Sequence, residues 1–135
     1  MDTANQIPVP APFNLADFEA SDTAFLEVQN KKGDGPLKLN GQLVRIEVFG
    51  PGSRESLSAQ HKQEQASQAA AFAAARGKPI PESIDDRIKR SATNLAAVTR
   101  SIENLPLSPI DLYSNPKLGY ITAQVARYKD DWANF

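Results

Sequence analysis

The chain contains no cysteine, which excludes disulfides, thiolate metal sites and cysteine nucleophiles together and fits a cytosolic site of action. It has one histidine, His61, so histidine-rich zinc sites are excluded and any serine triad would depend on that single ring. No apolar run approaches the roughly 18 residues that a membrane span requires. Neither sign of charge is in excess: 15 basic residues stand against 16 acidic ones, leaving no electrostatic footprint for DNA or RNA. The amino terminus lacks the basic start and apolar stretch of a signal peptide, so no export is expected. The length of 135 residues gives room for one domain of ordinary size and excludes a two-domain enzyme.

Alanine accounts for 19 of the residues behind the 41% apolar fraction, and seven of these crowd into residues 66–75. The larger apolar residues suffice for a modest core, since each buried one contributes roughly 1.5–3 kcal/mol before conformational entropy offsets most of it. Residues 1–17 open with Pro8, Pro10 and Pro12 among small and polar residues, a composition that predicts a flexible, extended arm. A single domain is expected over residues 18–135. Phe25-Leu26-Glu27-Val28-Gln29 reads as a strand, with Gly33, Gly35 and Pro36 supplying a hairpin turn and Leu37-Lys38-Leu39 beginning the return. The clearest strand is at residues 43–49, where Val44, Ile46 and Val48 alternate with Arg45 and Glu47.

Beyond Gly50-Pro51-Gly52 every periodicity reads as helical. Ser53 is a natural N-cap with Glu55 in the first turn. Residues 53–76 are strong helix formers, yet Leu57 and Phe72 are the only large apolar side chains among them. Such a helix cannot bury much of itself in its own domain and is expected to protrude. Gly77, Pro79 and Pro81 end it. A second helix begins near Ser83, where Ser83-Ile84-Asp85-Asp86 resembles a capping box; Ile84, Ile88, Leu95, Val98 and Ile102 then recur at helical spacing and predict one core-facing stripe. Ser108-Pro109 and Asn115-Pro116 each restart the chain as helix. In the last helix Leu118, Ile121, Val125, Tyr128 and Trp132 fall on one stripe. The fold class implied is α+β: a small antiparallel sheet followed by three to four helices.

None of the polar constellations assembles a catalytic or metal site. Asp85-Asp86 and Asp130-Asp131 are helical neighbours pointing about 100° apart, which suits solvation and dipole capping. His61 has no serine or acid at hydrolase spacing and reads as an exposed side chain. Gly33-Asp34-Gly35 and Gly50-Pro51-Gly52 match no phosphate-binding pattern and are explained as turns. Lys89, Arg90 and Arg100 lie near acids without interleaved aromatics, a weak basis for a nucleic-acid groove. Two features ask for more than a structural account: the alanine- and glutamine-rich helix with Gln60, Gln63, Gln65 and Gln68, and the aromatic ending Tyr120, Tyr128, Trp132 and Phe135. The helix suits an arm, self-association or closure over a partner, or simply a solvated surface. The aromatics imply docking on the core or display to a partner.

Leu95-Ala96-Ala97-Val98-Thr99, Leu105-Pro106-Leu107-Ser108-Pro109, Leu112-Tyr113-Ser114-Asn115-Pro116, Ile121-Thr122-Ala123-Gln124-Val125 and the ending Asp130-Asp131-Trp132-Ala133-Asn134-Phe135 follow one another in an order that resembles the tail assembly chaperone family of long-tailed bacteriophages. With the upstream strands and Gly50-Pro51-Gly52-Ser53, the similarity covers roughly residues 18–135. Relatives often carry a tryptophan after the Ala-Val-Thr stretch, where this chain has Arg100-Ser101-Ile102.

The resemblance implies a non-enzymatic helper without cofactors, acting in the host cytoplasm and missing from the mature virion. Such proteins bind the tape measure protein, keep it soluble and help recruit tail tube subunits; many also occur in a longer, frameshifted form. Its partner-binding residues would include Leu57, Phe72, Tyr120, Tyr128, Trp132 and Phe135, with a homo-oligomer expected and neither nucleic acid nor membrane as partner. The alternatives are a structural virion protein, such as a tail completion or head-tail connector subunit, and a small nucleic-acid-binding regulator using Lys89, Arg90 and Arg100.

Overall fold

The computed structural model describes residues 12–135. The arm expected at residues 1–17 lies outside the described residues as far as Ala11; in its remainder Leu15–Asp17 makes one 3-10 turn, started by the Asn14 side chain accepting from the Ala16 N–H. The fold is α+β. In chain order come β1 (Thr23–Glu27), β2 (Lys38–Leu39), β3 (Gln42–Leu43), β4 (Arg45–Phe49), α1 (Arg54–Ala75), α2 (Ile84–Ala96), β5 (Thr99–Glu103), α3 (Pro109–Tyr113) and α4 (Gly119–Asp130).

The main sheet has the order β1-β4-β5, antiparallel throughout, and β2-β3 forms a separate two-stranded hairpin. The alternation read in residues 43–49 places Val44, Ile46 and Val48 fully in the core, as a half-buried strand requires. Its opposite face is charged. Glu27, Arg45 and Glu103 form one row across the three strands, with Arg45 Nη2 2.7 Å from Glu103 Oε2 and its guanidinium 4.6 Å from the Phe25 ring centroid. The β2-β3 hairpin turns on Asn40 and Gly41, both at positive φ. This is the Asn-Gly pair that favours a two-residue hairpin turn, and the sequence reading placed its turn only at residues 31–36.

The helix expected to run from Ser83 through Ile102 ends at Ala96, and its last two stripe residues belong elsewhere. Val98 sits in the turn and Ile102 in β5, paired with Ile46. The reason is an ambiguity of period: residues four apart share a face on a helix and also on a strand, so Val98 and Ile102 satisfy both patterns. Pairing with β4 decides the matter. A bulge between Glu47 and Val48 sets Thr99 against Val48 and Ile102 against Ile46, so two residues an odd number apart both turn inward. The capping box at Ser83 forms as read, with Ser83 and Asp86 exchanging backbone-to-side-chain bonds of 3.3 and 3.0 Å. Ile84, in contrast, is 79% exposed and contributes nothing to the core.

Helices α2, α3 and α4 cover the apolar face of the sheet, with Leu95, Leu112, Tyr113, Ile121 and Val125 meeting Val28, Val44, Ile46 and Val48. The last helix stops at Asp130, so Trp132 leaves the expected stripe and starts a 3-10 turn, Trp132–Asn134, capped by Asp131.

Helix α4 reaches across the outer edge of β1 and meets part of it. The Val28 N–H donates to the Val44 carbonyl and the Gly50 N–H to the Asp22 carbonyl, so even-numbered residues of this strand bond to β4 and odd-numbered ones face outward. Tyr128 Oη donates to the outward Phe25 carbonyl at 3.0 Å, while the Gln124 amide accepts from Gln29 N–H at 2.8 Å and donates to Gln29 C=O at 3.0 Å.

Candidate functional site

Helix α1 is fastened at its root and free beyond it. Ser53 Oγ accepts from the Ser56 N–H at 3.2 Å and donates to the Gly50 carbonyl at 2.7 Å, while Ser56 Oγ donates to the Phe49 carbonyl at 3.3 Å. The root is therefore tied directly to the end of β4. At the far end Gly77 takes positive φ, Lys78 N–H reaches Ala73 C=O and Gly77 N–H reaches Ala74 C=O. Those two bonds make a Schellman stop that satisfies carbonyls the helix leaves open.

Between these caps Ala59 is the one buried residue, and residues 60–72 are exposed on every side. A helix of 22 residues runs about 33 Å. Eight alanines and both caps favour the helical state without body contacts. Leu57 and Phe72, 56% and 65% exposed, lie about 22 Å apart along the axis and about 60° apart around it. Where a protruding helix is expected at about residues 53–76, the chain forms α1 over Arg54–Ala75 with Leu57 and Phe72 largely exposed.

The aromatic residues divide into two groups. Tyr120 and Tyr128 border an open groove of about 770 Å³ between the Glu27–Gly33 segment of the chain and α4, with Lys31, Lys32, Arg127 and Asp131 on its rim. Burial pushes the Tyr128 phenol above its ordinary range. Phe135 and Trp132 clasp the turn that leads into α1: a Cβ on Gly50 would lie 2.7 Å from the Phe135 ring, and one on Gly52 would lie 3.1 Å from the Trp132 indole. Phe135 stacks edge-on to Tyr128 at 5.8 Å, and its carbonyl accepts from Ser21 N–H at 2.7 Å. Three of the four aromatics are half-buried against the core, whereas Trp132 stays 60% exposed.

A second groove, of about 540 Å³, lies between the base of α1, α2 and α4, where Ser56, Ala59 and Gln63 face Asn94, Thr122 and Ala126. Sequence reasoning missed both grooves, because they join segments as distant as Gln29 and Gln124 and no local pattern marks them.

Among the polar candidates, His61 is on the exposed stretch of α1. Arg90 pairs with Glu82 at 3.2 Å and Arg100 with Glu47 at 3.7 Å, so two of the three cations considered for nucleic acid are engaged within the chain. Among the described residues no three histidine or acidic side chains gather to hold a metal ion, and no helix is long and apolar enough to cross a membrane. What the arrangement offers chemically is surface: a capped, solvent-exposed helix on a braced root with one groove at its base, and a separate groove between residues 26–33 and α4. Comparison with protein-family models, with curated proteins and with solved structures finds no match for this chain.

Proposed function

We propose that this chain is a tail assembly chaperone of a long-tailed bacteriophage, which holds the tape measure protein soluble in the host cytoplasm, helps recruit tail tube subunits and is left out of the finished particle. The observation that carries the proposal is helix α1, held at Ser53 and exposed around its whole circumference over residues 60–72. A tape measure protein is a long helical chain with apolar stripes, and an uncovered stripe of that size aggregates. A rigid arm presenting Leu57, Phe72 and a thin alanine surface can lie along such a helix and shield it through many weak contacts. The order of motifs that resembles the chaperone family supports the same reading.

Co-expression tests the reading. The full chain should keep the tape measure protein of the same phage soluble and co-purify with it. Removing residues 60–75, which retains the buried Ala59, should reduce recovery several-fold. Undiminished recovery would sink the assignment of α1. Mass spectrometry of purified particles separates this reading from that of a structural virion subunit, since stoichiometric presence in the particle contradicts a chaperone.

A further inference from the structure

The main sheet has two edges, and α4 reaches across only one of them. We propose that the other edge, strand β5, pairs with β5 of a second copy of this chain, antiparallel and about a twofold axis. The product is one continuous six-stranded sheet. This goes beyond the chaperone reading and does not rest on it.

The argument begins with hydrogen-bond direction. Ile46 lies between Val44 and Val48 on the β4 positions whose N–H and C=O serve β1, so Ile102, directly opposite Ile46, turns its own N–H and C=O away from β4. Strand β5 is the last in the sheet, and no described residue hydrogen-bonds to that outward pair. On β1 the outward Phe25 carbonyl is met by Tyr128, and both outward groups of Gln29 are met by Gln124. A donor and acceptor held side by side on an extended strand are complemented by another extended backbone.

The occupant follows from charge and closure. With Ile102 opposite Ile102 of the second copy, Ser101 faces Glu103 and Arg100 faces Asn104, so no like charges oppose one another across the seam. The two charged residues of β5 are already balanced within the chain, Arg100 by Glu47 and Glu103 by Arg45. Because Tyr128 and Gln124 of α4 already occupy the Phe25 carbonyl and both outward groups of Gln29 on each distant β1 edge, a third copy finds no uninterrupted strand edge there and association stops at two, as an isologous interface requires. A foreign strand would instead leave its own outer edge exposed.

Sedimentation of the full chain over a concentration series should resolve a species of twice the 14.7 kDa chain mass. Ile102→Pro deletes the outward donor without touching the bonds to β4, and should raise the dissociation constant at least tenfold. Should that variant fail to fold by circular dichroism, a nitroxide on Ser101→Cys, the only thiol in the chain, decides instead: labels in the two copies should lie within about 20 Å. A chain monomeric at every concentration overturns the proposal. So does a dimer that survives Ile102→Pro, one whose labels are far apart, or one that dissolves when residues 60–75 are removed.

Discussion

Gly50 has no side chain because the Phe135 ring occupies the space a Cβ would take, and the Ser21 carbonyl lies 3.1 Å from the same point. Neither neighbour is the tip of a long flexible chain, so Gly50→Ala has to displace the ring. We expect a loss of about 1–3 kcal/mol in denaturant unfolding, the usual cost of overpacking, together with a changed Trp132 emission as the clasp loosens. A variant as stable as the parent would show that the ring can yield freely. Tyr113 is a second residue with a measurable signature. Burial pushes its phenol up to about 12 from an ordinary 10, partly offset by its 2.7 Å bond to Thr99. The folded state therefore favours the neutral phenol, so this contribution is intact below pH 10 and is lost as pH rises toward 12. The loss amounts to about 2–3 kcal/mol. Tyr113→Phe should cost about 0.5–1.5 kcal/mol near neutrality, since Thr99 keeps its bond to the Leu95 carbonyl. It should also fall less steeply than the parent between pH 10 and 12 in urea titrations. Burial raises Tyr128 as well, so the difference between the two proteins isolates the Tyr113 share; parallel curves would refute it.

At the scale of elements, the contrast between β1 and β5 matters more than their similar lengths. Gln124 acts as a substitute strand for Gln29, bonding both its N–H and its C=O from a position 95 residues away. Gln124→Ala should cost about 1 kcal/mol and speed hydrogen exchange at the Gln29 amide while leaving that of Ile46 slow. Unchanged exchange at Gln29 would mean the seal contributes nothing. Helix α1 shows the reverse case, an element whose stability is local. Its alanines, the Ser53 cap and the Gly77 stop were all readable in the chain, and so was its failure to bury an apolar face. The end of α2 was not readable, because Val98 and Ile102 fit helix and strand alike and only β4, about fifty residues earlier in sequence, chooses between them.

For the molecule as a whole, stability and interaction surface occupy different parts of the chain. Apart from Ala59, no α1 residue belongs to the core formed by the sheet with α2, α3 and α4. Removing residues 60–75 should therefore shift the melting midpoint of the body by no more than about 3 °C, the effect of a surface change worth under 0.5 kcal/mol. A larger drop would mean that the arm supports the fold and would recast its role.

The sequence alone determined what depends on neighbours along the chain: the α+β class, the buried alternation of Val44, Ile46 and Val48, the caps at Ser53, Ser83 and Ser108, and the exposed arm with Leu57 and Phe72. These follow from period, capping and propensity, which act within a few residues. Tertiary structure decided what depends on residues meeting from afar. It turned Thr99–Glu103 into a strand, set the aromatic ending as a clasp on Gly50 and Gly52, laid Gln124 and Tyr128 across one sheet edge, and left the other open at Ile102. Hydrogen-bond direction and close packing settle such choices, and neither leaves a periodic trace in the chain.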